Sequence, residues 1–154
     1  MQRTIPLALA ALVLVATGAC KKKEAAPPPE APAAAPAVPA PTPAVSALEL
    51  GRHIGANKRV ADTTSTFAPR DTFYLSVVTE NTAPGAMLLA KWHFQTGQLV
   101  DSTVQAVAAP SAGEPTSVTE FHLVKPKGWP AGTYTVEVFL DGASKGKREF
   151  AVKK

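Results

Sequence analysis

From Gly132 onward the chain alternates: Tyr134, Val136, Val138 and Leu140 fall on one side, with Thr135, Glu137 and Phe139 on the other. A period of two over nine residues, opened by the turn residues Pro130, Ala131 and Gly132, predicts a half-buried strand. The same alternation recurs upstream. Leu48, Leu50 and Ile54 mark a first edge strand, ended by Gly55-Ala56-Asn57, and Val60 to Phe67 reads as extended. Thr72 to Glu80 places Phe73, Leu75 and Val77 on one face, and Met87 to Gln95 places Leu88, Ala90, Trp92 and Phe94 inward with Leu89, Lys91, His93 and Gln95 opposite. After the Thr96-Gly97 turn come Leu99 to Val107 and then Ser117 to Val124, which buries Thr119, Phe121 and Leu123. Asp141-Gly142 turns the last pair of strands into Lys147 to Val152, with Phe150 and Val152 inward. About seven strands and no helical period predict an all-β domain over residues 47–154, because doubly wound and ferredoxin-like folds need helices.

Three local features carry a resemblance to the immunoglobulin-like β-sandwich. Gly132-Thr133-Tyr134 at the start of a late strand resembles the tyrosine corner, whose hydroxyl bonds backbone a few residues upstream. Trp92 stands where such domains bury a tryptophan on the third strand. Phe67-Ala68-Pro69-Arg70-Asp71 resembles a Phe-x-Pro-x-Asp step found in bacterial Ig-like domains. The resemblance implies an antiparallel sandwich with Trp92 and Tyr134 as structural residues. The inter-sheet disulfide of antibody domains is absent, because the chain has one cysteine.

That cysteine lies far from the sandwich. Residues 1–19 carry Arg3, an apolar run from Ile5 to Val15 and small residues up to Ala19, the layout of a secretory signal. The run is shorter than the roughly 20 residues that a permanent spanning helix needs. Thr17-Gly18-Ala19-Cys20 resembles the bacterial lipobox, with Thr17 in place of the usual leucine. The resemblance implies cleavage before Cys20, acylation of its thiol and a lipid anchor in place of a transmembrane helix. Lys21 is not the Asp that retains such lipoproteins in the inner membrane, so the resemblance implies the outer membrane facing the periplasm, with surface display left open. An ordinary signal peptide cut near Ala19 fits the same layout. Residues 20–46 are then a tether: 15 prolines in the whole chain, many of them in Ala-Pro steps here, favour extended polyproline-like backbone and a disordered spacer reaching at most about 70 Å.

Charge excludes one class of function. Arg3 and Lys21 to Lys23 account for the whole formal excess of +4, so the remainder of the chain is formally neutral. A nucleic-acid groove needs basic side chains clustered on the folded part. A lone cysteine also excludes zinc patterns built on cysteine pairs.

Catalysis needs convergent reactive groups, and the pattern offers none. His93 and His122 point outward by alternation, on strands that the Ig-like resemblance assigns to opposite sheets, and His53 lies outside any clear strand. Asp62, Asp71, Asp101 and Asp141 fall at turns or strand starts, where carboxylates cap backbone donors. No phosphate loop, nucleophile elbow or copper motif appears. The expectation is therefore a protein that is not an enzyme, needs no metal or cofactor, and binds or assembles with an envelope protein or the cell wall. The expected contact surface is the outer face of the sheet holding the third, sixth and seventh strands: Lys91, His93, Glu137 and Phe139, flanked by Lys147 and Glu149. The alternative is a periplasmic small-ligand or metal-handling domain, for which His93 and Glu137 are the raw material.

Overall fold

The structure is a computed structural model that describes residues 40–95 and 97–154. The signal segment 1–19, Cys20 and the tether as far as residue 39 lie outside the described residues. Eight strands are present: β1 (Ala44–Gly51), β2 (Thr66–Phe67), β3 (Phe73–Glu80), β4 (Met87–Phe94), β5 (Gln98–Ala106), β6 (Thr116–Leu123), β7 (Gly132–Leu140) and β8 (Ala143–Val152). Among the described residues there is no helix. One sheet has the order β1-β3-β6 and the other β2-β8-β7-β4-β5. Consecutive antiparallel strands thus divide between two sheets, with the third, sixth and seventh long strands (β4, β7 and β8) side by side. This is the arrangement of an immunoglobulin-like sandwich, in which β5 joins the sheet of β4 as in variable-type domains.

Alternation is the cause of the packing. In β7, Tyr134, Val136, Val138 and Leu140 are buried while the residues between them are half-buried or exposed. Leu88, Ala90 and Trp92 of β4 do the same, and these side chains meet Leu75, Val77 and Phe121 from the other sheet in one core. The middle of that core is aromatic. Phe73 stacks on Trp129 with ring centroids 4.5 Å apart and meets Phe67 and Phe150 edge-on, both at 4.8 Å. Edge and offset contacts of this kind add about 0.5–1.5 kcal/mol each beyond area burial.

The β7–β8 hairpin closes on two residues, Asp141 and Gly142, at φ 48° and 83°. Two positive φ values match the right-handed twist of the flanking strands, and Asp-Gly tolerates them.

Several elements differ from the pattern's prediction. β1 begins at Ala44, three residues before the boundary expected at Ala47, and it ends at Gly51 rather than running toward Gly55. A Cβ on Gly51 would collide with the Asp62 carbonyl and the Val60 side chain, so the strand stops where the returning chain crosses it. Val60 to Phe67 is not one extended strand. Thr64 N–H donates to Leu50 O at 2.8 Å on one sheet, while Ala151 N–H donates to Ser65 O at 2.8 Å on the other. The chain changes sheets between those two residues, and a single alternation cannot span the crossing. What remains is β2, which pairs with β8 in parallel, so the sandwich has eight strands and is not wholly antiparallel.

β3 also departs from simple alternation, since every residue from Leu75 to Thr79 is buried. At Ser76 its outer face meets the β1–β2 loop, where the Ser76 hydroxyl donates to Lys58 O at 2.7 Å. Two side chains close the open flanks of the sandwich. Arg148 Nε donates to Leu48 O at 3.1 Å on the β1/β8 side, and Gln105 Nε2 donates to Glu120 O at 2.8 Å on the β5/β6 side.

Candidate interaction face

The corner before β7 fixes the strand that carries Glu137 and Phe139. Tyr134 is 2 % exposed, and its hydroxyl donates to Pro130 O at 2.9 Å. Burial raises the Tyr134 phenol above its ordinary pKa. Gly132 sits at φ 149°, and a Cβ there would lie 2.7 Å from the Phe94 ring. The Phe-x-Pro-x-Asp step, which leaves β2 of the same sheet and leads to β3 of the other, clamps the same corner. Pro69 O accepts from Trp129 N–H at 2.6 Å, and Asp71 O accepts from the Trp129 indole at 3.0 Å. The Asp71 carboxylate in turn takes Ala68 N–H at 2.8 Å and Arg52 Nε at 2.9 Å. Trp129 is therefore a core residue, 6 % exposed, although its Gly-Trp-Pro setting has no strand alternation to show it.

Trp92, 1 % exposed, packs on Phe73 and Phe150. Its indole Nε1 is buried without a hydrogen-bond partner among the described residues. An unpaired buried donor costs about 1–3 kcal/mol, so this tryptophan is held by its ring area alone.

On the opposite side of β4 and β7 the strand registers arrange the outward residues in rows. Ser102, Lys91, Glu137 and Lys147 form one row across β5, β4, β7 and β8. Leu99, His93, Thr135 and Glu149 form the next on one side, and Val104, Leu89, Phe139 and Ser144 the next on the other. Lys91, His93, Glu137 and Phe139 thus share one face. Phe139 is half-buried rather than open, because the Lys91 ammonium lies 5.0 Å from its ring centroid. That contact is worth about 0.5–1 kcal/mol at an exposed site. Glu137 Oε1 accepts the Ser144 hydroxyl at 2.6 Å. Three of the four openly exposed large apolar side chains among the described residues are elsewhere on the same sheet, Met87 (46 %), Leu99 (56 %) and Val104 (52 %), along β5 and its β4 border. Sheet membership of β5 was not readable from its own alternation, so these residues escaped the sequence reading.

The histidines stay apart. His93 lies on this face, whereas His122 on β6 bonds Glu120 Oε1 at 2.8 Å beside the Tyr74 ring. His53 faces Asp62 at 3.3 Å. Partial desolvation raises the Asp62 carboxyl, but the His53 amide, the His53 ring and the Arg52 amide outweigh it and hold the group below its ordinary pKa. Asp62, Asp71 and Asp141 each accept a backbone N–H, Asp141 from Met87 at 2.8 Å. Asp101 differs: it stands within β5 beside the bulge and takes the Thr103 hydroxyl at 2.7 Å. Among the described residues no three histidine, cysteine or carboxylate side chains gather as a metal site would require. A hollow of about 430 Å³ has Lys58, Arg59, Glu114, Thr116 and Val118 in its lining and no histidine.

No family model matches the chain, and no curated protein matches it. Solved structures do. An immunoglobulin-like protein of Pseudomonas aeruginosa aligns over 74 % of this chain and 98 % of its own, at 14 % identity and a TM-score of 0.48. An alkylpurine DNA glycosylase of Pseudomonas fluorescens, bound to DNA containing an abasic site analogue, aligns over 73 % of this chain at 19 % identity and a TM-score of 0.45. The chain spans 30 % of the glycosylase's length. The fold itself rests on strand order, the core tryptophan and the tyrosine corner: the described residues form an all-β, immunoglobulin-like sandwich.

Proposed function

We propose that the protein is a lipid-anchored lipoprotein of the bacterial envelope, held through Cys20 at the periplasmic side of the outer membrane, whose sandwich binds or assembles with an envelope protein or the cell wall. The observation that carries the binding half of this reading is the outer face of the five-stranded sheet. There an apolar row, Val104, Leu89 and Phe139, adjoins a row of alternating charge, Lys91, Glu137 and Lys147. Aromatic and aliphatic side chains beside charges are the composition of protein contacts. The anchoring half is supported by the sequence Thr17-Gly18-Ala19-Cys20 at the end of the only long apolar run. A tether rich in Ala-Pro steps gives the sandwich reach without adding a fold.

The test is crosslinking in intact cells followed by recovery of the full chain from membranes. Phe139→Ser is expected to lose the crosslinked partner while the domain still unfolds cooperatively. If recovery of partners is unchanged, this face is not the binding surface. Cys20→Ala separately is expected to leave unprocessed precursor.

A further inference from the structure

An immunoglobulin-like sandwich that is not a closed barrel has four sheet edges, and each is a row of backbone donors and acceptors available for pairing. In this protein three of the four are interrupted by a side chain or by the returning chain. β1 is covered by Thr64 N–H and Arg148 Nε, which bond Leu50 O and Leu48 O. β6 is capped by Gln105 at Glu120 O. β2 is two residues long, and Arg52 Nη2 occupies Thr66 O.

β5 is the exception. It runs nine residues, Gln-Leu-Val-Asp-Ser-Thr-Val-Gln-Ala, and contains neither the lysines nor the prolines that guard exposed edges. Val107 N–H donates toward β4, to Ala86 O at 2.8 Å. Backbone direction alternates along a strand, so Ser102, Val104 and Ala106 turn both backbone groups away from β4, and among the described residues nothing bonds them. Their side chains lie on the outer face, where Ser102, Val104 and Ala106 are all exposed.

We propose that the free edge of β5 pairs with the β5 of a second copy of this chain, antiparallel about Val104, to make one sheet continuous through two molecules. The side chains favour a copy of itself. Centred on Val104, the pairing sets Val104 against Val104, Ser102 against Ala106 and Thr103 against Gln105, with no like charges opposed. The only charged residue of the strand, Asp101, then lies about 20 Å along the strand from its counterpart, six residues at about 3.4 Å each. The same register joins the apolar rows end to end: Phe139, Leu89 and Val104 of one copy continue into Val104, Leu89 and Phe139 of the other. The pairing sets the exposed Val104 against an apolar neighbour. The pairing uses the backbone edge and does not depend on the lipid anchor, so its failure would leave the anchoring reading untouched.

The experiment uses the full chain carrying Val104→Cys, oxidised in membranes and read on a non-reducing gel, with the unsubstituted chain and Val124→Cys as references. Val124 is 61 % exposed but lies past the end of β6. A disulfide-linked dimer of Val104→Cys, several-fold above both references, is the expected result. In detergent the full chain is expected to sediment as a dimer, and Val104→Lys, a substitution at an exposed side chain, is expected to halve that mass while near-ultraviolet circular dichroism stays the same. Equal crosslinking of Val104→Cys and Val124→Cys, linkage of Val104→Cys to a different protein, or a monomeric full chain would each overturn the proposal.

Discussion

Replacing Tyr134 with phenylalanine removes one oxygen from the sandwich and leaves the ring where it was. The ring is stacked on Phe150 at a centroid distance of 5.4 Å and an interplanar angle of 18°, so no cavity opens. What is lost is the 2.9 Å bond to Pro130 O, worth about 0.5–1.5 kcal/mol net. Pro130 is exposed, so water can take the vacated carbonyl and the larger penalty of a buried orphan acceptor does not apply. A loss of about 1 kcal/mol is expected, or about 4 °C in Tm for a domain of this size. Tyr134→Ala also removes the ring and should cost about 3–5 kcal/mol. Urea denaturation followed by tryptophan fluorescence measures both, and the slope with denaturant should not change for Tyr134→Phe. The phenol supplies a second signature. Its folded pKa is raised by burial, so its stabilisation is whole below the unfolded value near 10 and is lost as pH rises through the higher folded value. Between pH 8 and 11.5 the wild-type chain should lose more stability than Tyr134→Phe. A cost above about 3 kcal/mol, or identical alkaline profiles, would refute the corner as described.

Trp92→Phe removes a buried donor that has no partner, so it should cost less than about 2 kcal/mol, against about 3–5 for Trp92→Ala; thermal unfolding of the two variants gives the comparison. The Trp129→Phe variant should emit at short wavelength, because Trp92 is then the only reporter, and emission like that of free tryptophan would place it outside the core. Gly132→Ala should destabilise by about 1–3 kcal/mol, since it combines φ 149° with a Cβ against the Phe94 ring, and a chemical denaturation midpoint equal to that of wild type would show that the corner yields.

Local chemistry was enough to reveal β7, the Asp141-Gly142 hairpin and the burial of Trp92, because each depends on alternation or turn residues within a few positions. Trp129 was not legible, since the groups that bury it, Pro69 and Asp71, come from a distant part of the chain. β3 looked two-faced in sequence but is buried on both sides, and the loop that meets its outer face at Ser76 has no periodicity of its own. The face carrying Lys91, His93, Glu137 and Phe139 follows from strand parity, which gives direction. Parity says nothing of neighbours, so it missed the lysine that caps Phe139 and the adjoining row from Val104 to Leu89. β5 shows the limit most clearly: an edge is defined by which strand is absent beside it, and no residue in the strand encodes that.

Anchorage at Cys20 is the claim on which the cellular role depends, and the mass of the N-terminal peptide of the mature protein tests it most directly. The expected peptide begins at Cys20 and carries a diacylglyceryl group on its thiol, and Cys20→Ala should abolish that species. A mature N-terminus with an unmodified Cys20, or one at any other residue, would contradict it.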